Sequence, residues 1–123
     1  MAWNMVLDET GMSTWGWKQN ALINVDQRSG AVAYNPEYYV FKHLNHFVKP
    51  GARRLALAGG SDEVLAFRNP DGAIVVVAAS TGEGKREFEI AFGSAISIRA
   101  TLAAHSFNSF VFEEEFFAKP SRF

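Results

Sequence analysis

The chain contains no cysteine. That excludes a disulfide framework and a thiolate metal site. It leaves the compartment open, because many secreted bacterial proteins also lack cysteine. Neither sign of charge dominates: 12 Lys and Arg stand against 13 Asp and Glu, for a formal net charge of -1. With no basic stripe, nucleic acid is not expected as a partner. No apolar run approaches the ~20 residues of a membrane span. The opening residues, Met1 to Asp8, lack a basic stretch followed by an apolar one, so no signal peptide is expected. Gly59-Gly60 and Gly82-x-Gly84 read as turns. Neither opens a helix, so neither is a phosphate loop, and no cofactor is expected.

What is present describes a folded chain. Its 123 residues allow a real core, and 48% hydrophobic against 20% charged residues fits a globular protein rather than a disordered one. Phenylalanine is frequent, with 11 residues. Phe107, Phe110, Phe112, Phe116, Phe117 and Phe123 crowd the C-terminal end. Some of these rings should cover another part of the chain or a second copy.

Residues 3–8 read as a short strand, and 9–20 as a polar, glycine-containing loop with Trp15 and Trp17. Segments 21–26 and 31–34 flank Gln27-Arg28-Ser29-Gly30 as a hairpin. A helix is predicted over 36–48. Asn35 can cap it, Pro36 suits the first helical position, and Pro50-Gly51 ends it. Val40, Phe41, Leu44, Phe47 and Val48 share one apolar face. After Gly51 the period changes from 3.6 to 2, with candidate strands at 53–58, 63–69, 73–80, 85–92, 95–103 and 106–113. Asn69-Pro70-Asp71-Gly72 is a turn. Ile74 to Val77 suit a strand covered on both faces. Phe88, Ile90 and Phe92 alternate with Glu87, Glu89 and Ala91, as in a strand with one wet face. The fold class expected is mainly β with one α-helix: an antiparallel β-sandwich preceded by a strand, a hairpin and a helix. A lone strand and helix do not make a domain, so the first part looks like the end of an α/β architecture.

Further segments carry a family resemblance. They are Trp3-Asn4-Met5-Val6-Leu7-Asp8, Gly16-Trp17-Lys18-Gln19-Asn20, Tyr34-Asn35-Pro36-Glu37-Tyr38-Tyr39 and the run from His43 to Arg54. The β part adds Ala66 to Gly72, Val75-Val76-Val77 and Ala104-His105-Ser106-Phe107. In order and spacing these resemble the C-terminal end of glycoside hydrolase family 30, which includes glucosylceramidase.

The resemblance implies a (β/α)₈ barrel braced by an immunoglobulin-like side sandwich, to which the protein's N-terminus also contributes a strand. Residues 1–51 would be the eighth barrel strand, loop, hairpin and eighth helix. Residues 52–117 would be the sandwich and 118–123 a tail. Family members are retaining glycosidases that use two glutamates, which need carboxyl groups about 5 Å apart. Both would lie upstream of residue 1, so no catalytic residue is assigned and the enzymatic status of the chain is left open. Trp3 matches a tryptophan that lines the family's sugar pocket. The parent family is mostly secreted, periplasmic or lysosomal.

The candidate substrate-binding residues are therefore Trp3, Trp15 and Trp17, the last two read either as a carbohydrate platform or as packing over the helix. His43 and His46 are three apart, whereas zinc sites favour an i, i+4 pair with a third ligand. They read as polar-face histidines, and no metal is expected. His105 and Ser106 are adjacent in a strand and point to opposite faces, which excludes a nucleophile–base pair. Glu87 and Glu89 lie on the wet face, and Glu113-Glu114-Glu115 reads as a solvated strand end or tail. The expected role is a non-catalytic sandwich from a retaining β-glycosidase, with carbohydrate (a β-glucoside) as the parent's partner. A free-standing carbohydrate-binding module is the alternative. Uncovered apolar faces and open strand edges predict a homo-oligomer.

Overall fold

The computed structural model describes residues 4–59 and 62–118. They form two compact units that divide between Lys42 and His43.

The first unit holds a three-stranded sheet. Its strands are β1 (Val6–Asp8), β2 (Ile23–Val25) and β3 (Val32–Tyr34), in the order β1-β2-β3. Strands β2 and β3 are the expected hairpin, with Ile23 opposite Tyr34 and Val25 opposite Val32. Asp26 shapes its turn: one carboxylate oxygen accepts from the N–H groups of Arg28 (3.0 Å) and Ser29 (2.7 Å) and from the Ser29 hydroxyl (2.8 Å). Strand β1 joins β2 in parallel, Val6 beside Ile23. Parallel pairing needs a crossover, here residues 9–22, which period alone does not announce. Helix α1 (Pro36–Phe47) comes next. Its entry differs in detail from the cap expected of Asn35. The Asn35 side-chain amide donates to Ala21 O (2.7 Å) and Asn24 Oδ1 (2.5 Å), while its backbone carbonyl accepts from Tyr38 N (3.0 Å).

The second unit is the sandwich. Strands β4 (Arg53–Arg54), β5 (Val64–Arg68), β6 (Ile74–Ser80) and β9 (Ser106–Phe112) form one antiparallel sheet in the order β4-β5-β6-β9. Strands β7 (Arg86–Phe92) and β8 (Ile96–Leu102) pair as a second. The core lies between them: Ala66, Ile74, Val76, Ile90 and Phe112 are buried together, with Phe88, Phe92, Ile98 and Phe110 packed alongside. Val75 and Val77 point the other way from Val76 and are also buried, so β6 is covered on both faces as its apolar run requires. Strand β7 alternates as expected: Ile90 is buried and Phe88 and Phe92 half-buried, while Glu87, Glu89 and Ala91 are exposed. Burying such aliphatic side chains contributes roughly 1.5–3 kcal/mol each.

Three expectations are corrected. The strand predicted over 53–58 is cut to two residues, with one more ladder bond from Leu55 N to Ala66 O at 2.8 Å. The described residues hold two helices, not one. The acidic run Glu113-Glu114-Glu115 is solvated at the end of β9 as expected, but in place of an extended tail Glu114–Ala118 forms a short helix, α2, opened by Phe116 N donating to Glu113 O at 3.0 Å. That turn brings Phe117 edge-on to Phe92 (ring centres 5.0 Å) and Phe116 against Phe112 (5.3 Å). Much of the phenylalanine excess thus covers this chain's own sandwich.

Candidate functional site

The loop after β1 is more ordered than its composition suggests. Asp8, at the strand end, accepts from Thr10 Oγ1 (2.6 Å), Thr10 N (3.0 Å) and Gly11 N (3.1 Å) through one oxygen. Its other oxygen accepts from Gln27 Nε2 (2.9 Å). The Thr10 hydroxyl bond, ahead of the backbone bonds from Thr10 and Gly11, holds the Asp8 carboxyl below the usual carboxylate range. Gly11 then turns the chain with φ +65°, where a Cβ would meet Gln19 O at 2.9 Å. From Gly11 to Gln19 the chain forms a tight hairpin. Gln19 N donates to Gly11 O (2.8 Å), Ser13 N to Trp17 O (3.0 Å) and Gly16 N to Ser13 O (3.0 Å). Met12 bridges Lys18 across it. Inside the turn, Ser13 Oγ accepts from Trp15 N (3.3 Å) and Trp17 N (3.4 Å). Gly16, at φ +82°, forms the tip.

This hairpin brings Trp15 and Trp17 together. Their ring centres are 5.6 Å apart with planes 15° from parallel. Trp15 is 73% exposed and Trp17 55%, so neither ring is buried beneath a neighbour in this structure. Trp3 lies outside the described residues. The signals that could have revealed the hairpin were Gly11 and Gly16 spaced around Ser13. The bracing by Ser13 and Asp8 is a matter of geometry that residue types alone do not disclose.

Beside the hairpin base is a polar cavity of about 280 Å³, lined among others by Glu9, Lys18, Gln19, Asn24, Asn35 and Glu37. Its amides are largely committed to the scaffold. Gln19 Oε1 accepts from Asn4 Nδ2 (3.0 Å), Asn24 Nδ2 donates to Asp8 O (2.8 Å), and Asn35 joins Ala21 to Asn24.

In the sandwich unit, a larger open groove of about 720 Å³ runs beside β7 over Leu57, Val64, Val76, Phe88 and Ile90. Arg86 lies along it, bonded to Glu63 (2.8 Å) and Ala79 O (3.0 Å). Its Nε is the one buried side-chain polar atom without a partner among the described residues. Glu63 also accepts from Thr81 Oγ1 at 2.5 Å, and this bond, then that from Arg86, holds its carboxyl below the usual range.

The remaining candidates fall into structural roles. His43 is not on a solvated face: its Nδ1 is 2.9 Å from Ser109 Oγ, and its ring lies near Phe107. His46 stands edge-on to Phe47. No three His, Cys, Asp or Glu side chains cluster to hold a metal among the described residues. His105 adopts φ +48° and pairs with Glu83 at 3.1 Å, while Ser106 Oγ donates to Ala103 O at 2.7 Å, so they form no dyad. Glu87 accepts from Thr101 Oγ1 (2.8 Å) and Glu89 from the Ser97 hydroxyl, both on the exposed face. No described helix is long and apolar enough to cross a membrane.

Comparison with known proteins agrees with this architecture. Residues 51–110 match the glycosyl hydrolase family 30 beta sandwich domain. Two Caenorhabditis elegans proteins, named "Putative glucosylceramidase 1" and "Putative glucosylceramidase 2", are 33% identical over 84 residues and 36% over 80. Those alignments take in 64% and 60% of this chain but only 16% and 15% of the relatives, so the chain spans about a sixth of their length. Among solved structures, the endo-beta1,6-glucanase BT3312 superposes with a TM-score of 0.77 at 25% identity, over 90% of this chain and 26% of that one. SrfJ from Salmonella typhimurium shares the fold, with a TM-score of 0.76 at 22% identity over 89% of this chain and 25% of that one. Residues 51–110 are thus similar in sequence to the glycosyl hydrolase family 30 beta sandwich domain, and the fold of these solved structures extends over about nine-tenths of the chain.

Proposed function

We propose that the chain serves as the C-terminal part of a retaining β-glycosidase, in which the sandwich braces a barrel and the first unit supplies that barrel's last strand and helix. One observation carries this reading. Among the described residues from 4 to 42, Ala21 is the only buried apolar side chain, at 4% exposed. Every residue of β3 is exposed and every residue of β2 only half covered. Met5, Val6, Val32 and Tyr34 are each about half exposed or more. A sheet this bare is one layer of a larger body. The matched share of the relatives, between a sixth and a quarter, supports the same view.

Retaining hydrolysis needs two carboxyls about 5 Å apart with divergent pKa values. Glu87 and Glu89, which share a strand face, are exposed and engaged by hydroxyls. The catalytic pair is therefore assigned to the preceding βα units of the enzyme. The substrate class is a β-linked glucoside, in keeping with the names glucosylceramidase and endo-beta1,6-glucanase among the relatives. Trp3 is assigned to the sugar pocket.

Alone, the chain should cover its bare faces with a second copy, using the uncovered sheet of the first unit or the edge of β7 beside its groove. The test has two readouts on the purified chain. A chromogenic β-glucoside should show no turnover, and light scattering should give a mass above the 13.6 kDa of one chain. Turnover abolished by a single Glu→Gln change would overturn the non-catalytic role. A stable monomer would overturn the association.

A further inference from the structure

We infer that β9 is a self-pairing edge, and that two copies of this chain join their β9 strands antiparallel about a two-fold axis at Ser109. Strand β9 ends its sheet, with β6 on one side and no strand on the other among the described residues. In an antiparallel ladder the N–H and C=O groups of successive residues point alternately to either side. Ala79 N donates to Glu63 O, so Ala79, and with it Val77 and Val75, turn their backbone groups toward β5. Ile74, Val76, Ala78 and Ser80 therefore face β9, where they stand opposite Phe112, Phe110, Asn108 and Ser106. That leaves the backbone groups of Phe107, Ser109 and Val111 directed outward, a row of donors and acceptors open to another strand.

Natural edges are usually blunted by charge, proline or shortness. The other edges of the sandwich follow that rule. Strand β4 is two residues long and both are arginines, β7 carries Arg86, Glu87 and Glu89, and β8 carries Arg99. Strand β9, Ser-Phe-Asn-Ser-Phe-Val-Phe, has seven residues, and none is charged, proline or glycine. Self-complementarity selects a second copy of β9 as the occupant. An axis at Ser109 sets Phe107 of each copy opposite Val111 of the other, with their outward backbone groups in register. Phe107 is 44% exposed and Val111 39%. They share one face of the strand, so the axis joins them as aromatic–aliphatic cross-strand pairs, a favourable combination. Charge agrees with the same register. Continued past the strand ends, it sets Glu113 of each copy opposite His105 of the other, a carboxylate against an imidazole that already pairs with Glu83 of its own chain. Edges of this length bury little area, so the dimer should be weak, with a dissociation constant of roughly 100 µM.

This pairing does not depend on the glycosidase reading, and it uses a different surface from the first unit. Hydrogen exchange of the intact chain reads it without mutation, between about 10 µM and about 1 mM, which brackets the expected dissociation constant. Amides of Phe107, Ser109 and Val111 should gain about fourfold protection at the higher concentration, in proportion to the fall in free monomer. Those of Asn108 and Phe110, bonded to β6, should not change. Because the chain has no cysteine, Ser109→Cys puts a single thiol on the axis. Bonded partners in an antiparallel pair have Cα atoms about 5.5 Å apart, within disulfide reach. With oxidised glutathione that variant should cross-link to a dimer, whereas Ala91→Cys, exposed on β7, should not. Val111→Lys sets an ammonium group against Phe107 and should remove both the protection and the cross-link. Its circular dichroism should match the parent, since Val111 lies outside the core between the sheets. Unchanged exchange at Phe107, Ser109 and Val111 would overturn the inference, as would equal cross-linking of Ala91→Cys. Protection without a cross-link at Ser109 would overturn the register. Concentration-dependent protection confined to β2 and β3 would overturn the β9 pairing while sparing the association of the first unit.

Discussion

Asn69 is the residue whose replacement should disturb the sandwich unit most for its size. It is 4% exposed, and its side chain joins the end of α1 to the β5–β6 turn. Oδ1 accepts from Lys49 N at 3.0 Å, and Nδ2 donates to Phe47 O at 2.9 Å. The same residue closes the turn through its backbone, donating to Ala73 O (2.8 Å) and accepting from Gly72 N (3.0 Å). Asn69→Ala keeps the backbone bonds and loses both side-chain bonds, each contributing about 1 kcal/mol, with Phe47 O and Lys49 N left short of partners. The expected destabilisation is about 2–3 kcal/mol. In a unit of this size each kcal/mol lowers Tm by roughly 4–8 °C, so the fall should exceed about 8 °C. Asn69→Asp separates the two bonds, since it can still accept from Lys49 N but sets a carboxylate against Phe47 O. It should be no more stable than Asn69→Ala near neutral pH and should recover partly in acid, where the protonated carboxyl can donate again. Urea unfolding followed by circular dichroism measures both. A loss below about 0.5 kcal/mol for Asn69→Ala would place that site among ordinary surface positions and refute the reasoning.

Ile90→Ala, in the core between the two sheets, should cost about 2–4 kcal/mol, whereas Val6→Ala, on the bare face of β1, should cost under about 0.5 in the same denaturation assay. Gly72→Ala forces a side chain into φ +87° and to within 3.0 Å of Glu114 Cδ. It should cost about 1–2 kcal/mol from the backbone alone, and adding Glu114→Ala should relieve only the steric part in a double-mutant cycle. Asp71 is bonded by Lys49 and then by Ala73 N, which lowers its pKa in the folded chain. Its contribution is therefore complete above the ordinary carboxylate pKa of about 3.9 and lost as pH falls through the lowered value. Asp71→Asn should flatten that part of the stability-versus-pH curve, while an unchanged curve would contradict the pairing.

Much of this fold is written in short-range pattern. The strict period of two in Phe88, Ile90 and Phe92, and the unbroken apolar run at Ile74 to Val77, announced β7 and β6 within a residue of their observed ends. Helix α1 was equally plain from Pro36, its apolar spacing and Pro50-Gly51. Tertiary bonds between distant residues were not legible. The parallel pairing of β1 with β2 depends on a crossover, the role of Asn69 on where α1 ends, and helix α2 on rings it meets in β7 and β9. His43 shows the same limit, since its helical position suggested solvent while Ser109, 66 residues away, holds its ring. At the candidate site, Trp15 and Trp17 in a glycine-containing loop left a carbohydrate platform and packing over the helix as alternatives. Only the closing bonds around Ser13 show that it is a fixed hairpin with stacked rings.

The central claim is that a self-sufficient sandwich carries a first unit that needs covering. Residue-resolved hydrogen exchange of the chain at two protein concentrations tests it most directly. Amides of β5, β6 and β9 that are bonded within the sandwich should exchange slowly and independently of concentration, through global unfolding of the sandwich. Amides of β2 and β3 should be far less protected and should lose protection further on dilution, as any second copy covering them dissociates. Equal, concentration-independent protection of both units in a monomer would contradict the claim, because the first unit would then be complete by itself.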